Sequence, residues 1–380
     1  MAAVRILQVF TIMNRGGAES MIMNYYRQLD KSKIQFDFLV HRQEKAAFDD
    51  EIESMGGKIY KMNPINPINP GPYYNQLRAF FKQHQEYKIV HSHLNTFSSF
   101  VLKVAKEFNI PCRIAHAHIA IEDTNLSSML SSKSNFIEGI KNLMKLRLKK
   151  NIHKYPTHYF SCGDKAGRWL FGEDTEFYTM NNAIDTDSFL INKEVRDKYR
   201  SEFNVESNWV FGHIGRFNTQ KNHLFLLQIF SEVVKLKEDA RLFLIGDGNL
   251  RNEIETEIIR LGLINCVTLL GVRSDVPDLF QMFDVFVFPS LYEGLPVTLI
   301  EAQAAGLKIF ASDTITDEVL LTDDIKFISL SKSPKQWAKE IVKSYGINKS
   351  DNKDKIVDGS YDIVGNTRAI EQFYLKQLNA

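Results

Sequence analysis

Val285-Phe-Val-Phe288-Pro-Ser-Leu-Tyr-Glu293-Gly-Leu-Pro-Val-Thr-Leu-Ile-Glu301 decides the fold. Val285 to Phe288 is an apolar run of strand length, Pro289 and Gly294 force a break, and the run carrying Glu301 is amphipathic. The order is therefore strand, turn, helix. Such a turn exposes backbone N–H groups where the helix dipole favours an anion. Glu293 stands before the helix and Glu301 about two turns in, which separates the two carboxylates along the helix axis. A ligand with hydroxyls at both ends and phosphates between them, as a nucleotide sugar has, suits that spacing.

The same pattern recurs outward from this stretch. Val210 to Ile214 is followed by Gly215-Arg216-Phe217-Asn218-Thr219-Gln220-Lys221-Asn222, which sets two cations five residues apart, and Val4 to Phe10 is followed by Gly16-Gly17-Ala18-Glu19. In the first half, strands are expected at Val4 to Phe10, Phe36 to Val40, Lys58 to Met62, Ile89 to His91, Arg113 to His116 and Tyr159 to Cys162. In the second they are expected at Val210 to Ile214, Arg241 to Ile245, Val267 to Leu269, Val285 to Phe288 and Lys308 to Ala311. Helical patterns lie between them, so the class is α/β with two doubly wound parallel sheets. Asn63-Pro-Ile-Asn-Pro-Ile-Asn-Pro70 reads as a stiff connector between a strand and a helix. Open sheets of this kind bind ligands at the carboxyl ends of their strands.

The 380-residue length is that of about two domains. With 44% hydrophobic and 24% charged residues and a net charge of +1, composition offers no argument for nucleic acid as a partner. Cys112, Cys162 and Cys266 are too scattered for a disulfide framework or a metal set and are expected to be buried reduced thiols. Reduced thiols make the cytoplasm the expected location, and since no window approaches the roughly 18 apolar residues that span a bilayer, an integral membrane protein is not expected.

Glu293 to Glu301, Gly215 to Asn222 and Gly16 to Glu19 together resemble the retaining glycosyltransferases of family four, the glycosyl transferases group 1, and most of all those of bacterial capsule and exopolysaccharide synthesis. The resemblance covers nearly the whole chain. It implies a GT-B fold, two Rossmann-like domains facing each other across a cleft. The acceptor-side domain would be 1–182, the nucleotide-sugar domain 183–364, and 365–380 a helix crossing back to the first. Asn182-Ala183 stands where the family's interdomain segment has Asn-Gly.

By the same resemblance Arg216 and Lys221 bind the leaving diphosphate. Glu293 holds sugar hydroxyls, Glu301 the ribose hydroxyls, and the N–H groups of Gly294 and Leu295 reach phosphate or sugar. Gly215 belongs to this donor set, Gly16 and Gly17 approach the donor phosphate, and Val272 and Arg273 lie beside the base. Pro296 replaces a glycine common in relatives, which removes or displaces one backbone contact. His118 matches the family's histidine near the sugar or reaction centre, and His93 is the candidate on the acceptor side. The implied reaction moves a hexose or N-acetylhexosamine, with retention of configuration, from a nucleoside diphosphate sugar, UDP-linked in the first instance, to a glycan or lipid-linked acceptor of a surface polysaccharide. No cofactor and no metal are expected. The rival readings are a catalytically idle sugar-nucleotide-binding protein of an assembly complex and a nucleotide-sugar epimerase.

Three further features bear on the site. His91-Ser-His93 and His116-Ala-His118 are expected to send the two rings of each pair to opposite sides of a strand. Four histidines at neighbouring strand ends could suggest zinc, but no Cys or acidic ligand completes a tetrahedral set. Gly246-Asp247-Gly248 looks like a dinucleotide fingerprint but has Arg251 where the third glycine should stand. Residues 134–155 interleave six basic residues, Lys141 to Lys154, with apolar ones. That pattern suits either contact with an anionic membrane at the inner face of the cytoplasmic membrane or a packed helix with a solvated face.

Overall fold

A computed structural model of the protein describes residues 3–118 and 146–378. The chain forms two compact units, one of residues 1–183 with 363–380 and the other of residues 184–362. Each is built on one all-parallel sheet.

The first unit contains β1 (Val4–Phe10), β2 (Ile34–Val40), β3 (Ile59–Lys61), β4 (Ile89–Ser92), β5 (Cys112–Ala117), β6 (His158–Ser161) and β7 (Tyr178–Thr179), in the order β3-β2-β1-β4-β5-β6-β7. Side chains alternate faces along a strand, so Ile6 and Phe10 enter one core layer while Leu7 and Val9 enter the other. The terminal helix Ile363–Leu378 packs on the Ile6 side through Ile370 and Tyr374. Asn63 to Pro70 connects β3 to the helix Gly71–Gln83, and Asn66 Oδ1 accepts from the backbone N–H groups of Ile68 and Asn69.

The second unit contains β8 (Trp209–Ile214), β9 (Ala240–Ile245), β10 (Val267–Gly271), β11 (Val285–Phe288), β12 (Lys308–Ser312) and β13 (Ile325–Ile328), in the order β10-β9-β8-β11-β12-β13. Every residue of β11 is buried, because both sheet faces are covered by helices. In each unit the order reverses beside the first strand, between β1 and β4 and between β8 and β11. That switch point is where such sheets hold ligands.

Of the basic segment 134–155, residues 134–145 lie outside the described residues. In the rest, Leu148 and buried Ile152 pack on the first unit's core, and Lys149 Nζ lies 4.9 Å from the centre of the Trp169 ring. Cys112 and Cys162 are buried and form no disulfide, whereas Cys266 is only partly buried. Among the described residues no helix is long and apolar enough to cross a membrane.

Candidate functional site

In the second unit the loops that leave β8 and β11 meet at an ion pair. Lys221 Nζ lies 2.7 Å from Glu293 Oε1, with the side chains 15% and 8% exposed. Gln220 Nε2 donates to Glu293 Oε2 at 3.1 Å and to the Tyr292 carbonyl at 3.0 Å, while its own carbonyl accepts from Leu291 N–H. Asn222 takes the left-handed conformation, φ 55°, and its Nδ2 donates to the Pro289 carbonyl. Gln220 and Asn222 thus stitch the two loops together and hold the charged pair in place. Sequence reasoning missed both. An Asn just before a helix, where the chain must turn sharply, was the available signal.

Gly215 has a steric reason to be glycine, since a Cβ there would sit 3.1 Å from the Lys221 stem and 3.2 Å from His213 Nε2. Arg216 is exposed, and its guanidinium makes no hydrogen bond or ion pair among the described residues, while its carbonyl accepts from Asn218 N–H. His213 and His223 are buried beside Lys221, and burial pushes both imidazoles down, His223 to about 4, so both are neutral. Lys221, fixed by Glu293, and Arg216, with an unengaged guanidinium, are therefore carried on one loop, with two neutral imidazoles buried beside Lys221.

The helix Val297–Ala304 begins just after Pro296, so Glu301 lies about one turn in rather than the two expected. The proline serves as the N-cap residue and delays the start. Glu301 is partly buried, and its carboxylate has no hydrogen-bond partner among the described residues. Desolvation pushes its carboxyl up to about 7. A carboxylate so placed gains from any hydroxyl that donates to it. Gly294 is exposed, and the partly buried Leu295 side chain packs on the core. Val272 is 63% exposed, and Arg273 is tethered to Asp275, which also accepts from the Tyr199 hydroxyl.

Gly246-Asp247-Gly248 acts through close packing. Gly246 has φ +135°, and a Cβ there would fall 2.1 Å from the Gly215 carbonyl oxygen; one on Gly248 would fall 2.4 Å from that of Phe217. Gly215 N–H donates to the Ile245 carbonyl and Phe217 N–H to that of Asp247. The two glycines let the β9 loop press against the loop that carries Arg216 and Lys221.

In the first unit Gly16 is the N-cap residue of the helix Gly17–Gln28, and a Cβ on it would meet Glu19 Oε2 at 2.3 Å. Gly17 is exposed, with nothing within 4 Å of an added Cβ, so no contact inside the protein requires it to be glycine. The histidines correct one expectation. Residues two apart in a strand share a face, and the rings of His91 and His93 stack with centroids 4.3 Å apart, those of His116 and His118 4.1 Å apart. His93 Nδ1 lies 2.8 Å from His118 Nε2, and His91 Nε2 lies 3.0 Å from His116 Nδ1. His91, His93 and His116 each present a nitrogen within 4.8 Å of the others'. Burial holds His91, His93 and His116 well below the usual imidazole range and His118 at about 3, so all four are neutral. His93 is buried with both nitrogens engaged, which leaves it none for a ligand. His118 is partly exposed, and Asn95 Oδ1 accepts from its backbone N–H at 2.8 Å, a support sequence reasoning did not find.

Two Rossmann-like units, each with polar and charged groups at the switch point of its sheet, define the GT-B class of glycosyltransferase folds. Residues 195–353 match the family model described as glycosyl transferases group 1. Over 97% of this chain and 96% of the relative, the sequence is 34% identical to EpsF of Bacillus subtilis (strain 168), provisionally named a glycosyltransferase. It is 26% identical, over 77% of this chain and 76% of the relative, to the UDP-Gal:alpha-D-GlcNAc-diphosphoundecaprenol alpha-1,3-galactosyltransferase of Escherichia coli. The crystal structure of Anabaena Alr3699/HepE in complex with UDP-glucose superposes with a TM-score of 0.75 at 17% identity, over 98% of this chain and 99% of that one, a likeness of fold alone. The chain belongs to the glycosyl transferases group 1 family.

Proposed function

We propose that the protein is a retaining transferase that moves a hexose or N-acetylhexosamine from a UDP-sugar to a glycan or lipid-linked acceptor during surface polysaccharide assembly. The observation that carries this reading is the Lys221–Glu293 pair beside unengaged Arg216 at the β8/β11 switch point. As the glycosidic bond breaks, negative charge grows on the leaving diphosphate. Arg216 and Lys221 stabilise it as preorganised cations, the kind of term that is usually large in catalysis. Glu293 both orients Lys221 and accepts from sugar hydroxyls, and Glu301 accepts from the ribose. Gly294, Leu295 and the glycine-led helix start at Gly17 supply N–H groups to phosphate or sugar. Val272 and Arg273 meet the base through their backbone. His118 contacts the sugar or acceptor, and His93 acts on that side through His118. The E. coli relative's name, with its UDP-sugar donor and diphosphoundecaprenol acceptor, supports the donor base and the lipid-linked acceptor.

A thermal-shift screen of UDP-, GDP- and ADP-sugars, followed by a donor hydrolysis assay, tests the proposal. A ligand that binds only the native state raises the unfolding temperature by mass action. UDP-sugars should shift it most and should be turned over slowly to UDP. Stabilisation with no UDP released, with or without acceptor, would mark an idle binder instead.

A further inference from the structure

The histidine cluster is ordered by one side chain. Gln8 of β1 is fully buried and faces the same side as Ile6 and Phe10, under the terminal helix. Its Oε1 lies 2.8 Å from His93 Nε2, and its Nε2 lies 3.5 Å from the Tyr374 hydroxyl, at the long limit of a hydrogen bond. Two chains leave this amide. One runs from Gln8 through His93 to His118, the other from Gln8 through Tyr374 and His91 to His116.

All four rings are neutral, so each has one donor and one acceptor nitrogen, and the direction of every bond follows from the amide. Oε1 can only accept, so His93 carries its proton on Nε2 and offers Nδ1 as an acceptor. His118 must then donate from Nε2, which leaves its Nδ1 a bare lone pair. In the second chain the amide N–H donates to the Tyr374 oxygen, Tyr374 donates to His91 Nδ1, and His91 Nε2–H donates to His116 Nδ1. His118 Nδ1 has no partner among the described residues, and His118 is the one residue of the four that is partly exposed.

We propose that Gln8 is a positioning residue that sets the tautomer of His118, with the proton on Nε2, so that Nδ1 accepts a hydrogen bond from a substrate hydroxyl. This rests on the reading that His118 touches substrate, and it deepens that reading by making His118 an acceptor from a hydroxyl and not a donor to a phosphate or carbonyl. The terminal helix takes part through Tyr374, whose hydroxyl is the second partner of the Gln8 amide and links it to His91.

The tautomer is measured on the full chain labelled with 15N-histidine, by long-range proton–nitrogen correlation, with the His118 signals assigned from their loss in His118→Asn. The expected result is a protonated Nε2 and a bare Nδ1. A proton on Nδ1, or a cationic ring at neutral pH, would overturn the proposal, as would stoichiometric zinc that displaces the two histidine–histidine hydrogen bonds. Gln8→Leu should convert His118 to a mixture of tautomers and lower kcat about tenfold, the size of one net hydrogen bond, with KM for the donor changed less than twofold. Gln8→Glu, which still accepts from His93, should restore both. A loss of unfolding temperature in Gln8→Leu with His118 signals unchanged would reduce Gln8 to a packing residue and refute the idea. Should Gln8→Leu fail to fold, the parent spectrum decides alone, because a proton on His118 Nδ1 there contradicts the chain of bonds. A His118→Ala variant with turnover within twofold of the parent would reject the substrate contact itself, separately from the tautomer.

Discussion

Removing either half of the Lys221–Glu293 pair should have unequal consequences, and the inequality follows from what each partner has left. The charges are 2.7 Å apart in a mostly buried setting. Loss of one member of a buried pair costs about 3–5 kcal/mol, and the residual exposure places Lys221→Met near 3. That variant leaves the Glu293 carboxylate with Gln220 Nε2 as its donor. Glu293→Gln should cost less, about 2 kcal/mol, because the introduced amide oxygen still accepts from Nζ while its NH2 group loses the bond from Gln220 Nε2. The ammonium also keeps its place 4.5 Å from the Phe288 ring centre, a contact worth about 0.5–2 kcal/mol. The double variant should recover at least about 1 kcal/mol relative to the sum of the singles. Urea unfolding followed by fluorescence reads this out. Trp209 and Trp337 lie in the second unit, so a Trp169→Phe background reports that unit alone. Additive single variants, with no coupling above about 0.3 kcal/mol, would show that the pair does not order the loops.

Glu301 gives a pH dependence with a definite sign. Its carboxyl is raised from 4.5 to about 7, so the free native protein favours the neutral form, and the group's contribution to stability falls as pH rises from about 4.5 through 7. Nucleoside diphosphate affinity should rise between pH 6 and 8, as the carboxylate that accepts ribose hydroxyls forms. Glu301→Gln should flatten both trends in titration calorimetry; a pH slope that survives would exclude Glu301 as its source. Gly246→Ala should destabilise by about 2 kcal/mol or more, since it adds left-handed strain to a clash with the Gly215 carbonyl, and a loss below about 0.5 in urea unfolding would contradict the close packing. Gly17→Ala is the converse case. It should leave stability unchanged or slightly raised yet weaken donor binding, and unaltered affinity would remove Gly17 from the donor site.

Much of this was legible because a parallel sheet covered on both faces writes itself as apolar runs. Val4 to Phe10, Val210 to Ile214 and Val285 to Phe288 form strands close to their expected bounds. Two edge strands were missed. Tyr178–Thr179 is too short to leave a pattern, and Ile325–Ile328 has Lys326 facing solvent in its midst. At the site, the residue types suited to diphosphate and hydroxyl binding were readable from strand–loop–helix spacing. The supporting groups were not, because Gln220, Asn222, Asn95 and Gln8 act through partners distant in sequence or through a left-handed backbone. The opposite-face expectation for the histidine pairs failed against the strand's own period of two, and it hid the contact between His93 and His118.

The anomeric outcome tests the central claim most directly. The purified full chain is incubated with the UDP-sugar that gives the largest thermal shift and with a diphospholipid-linked sugar acceptor, and the new linkage is read by proton NMR of the isolated product. The account predicts transfer with the α configuration of the donor kept, and loss of about a hundredfold or more in Lys221→Ala. A β-linked product, or transfer in Lys221→Ala within a few-fold of the parent, would contradict it.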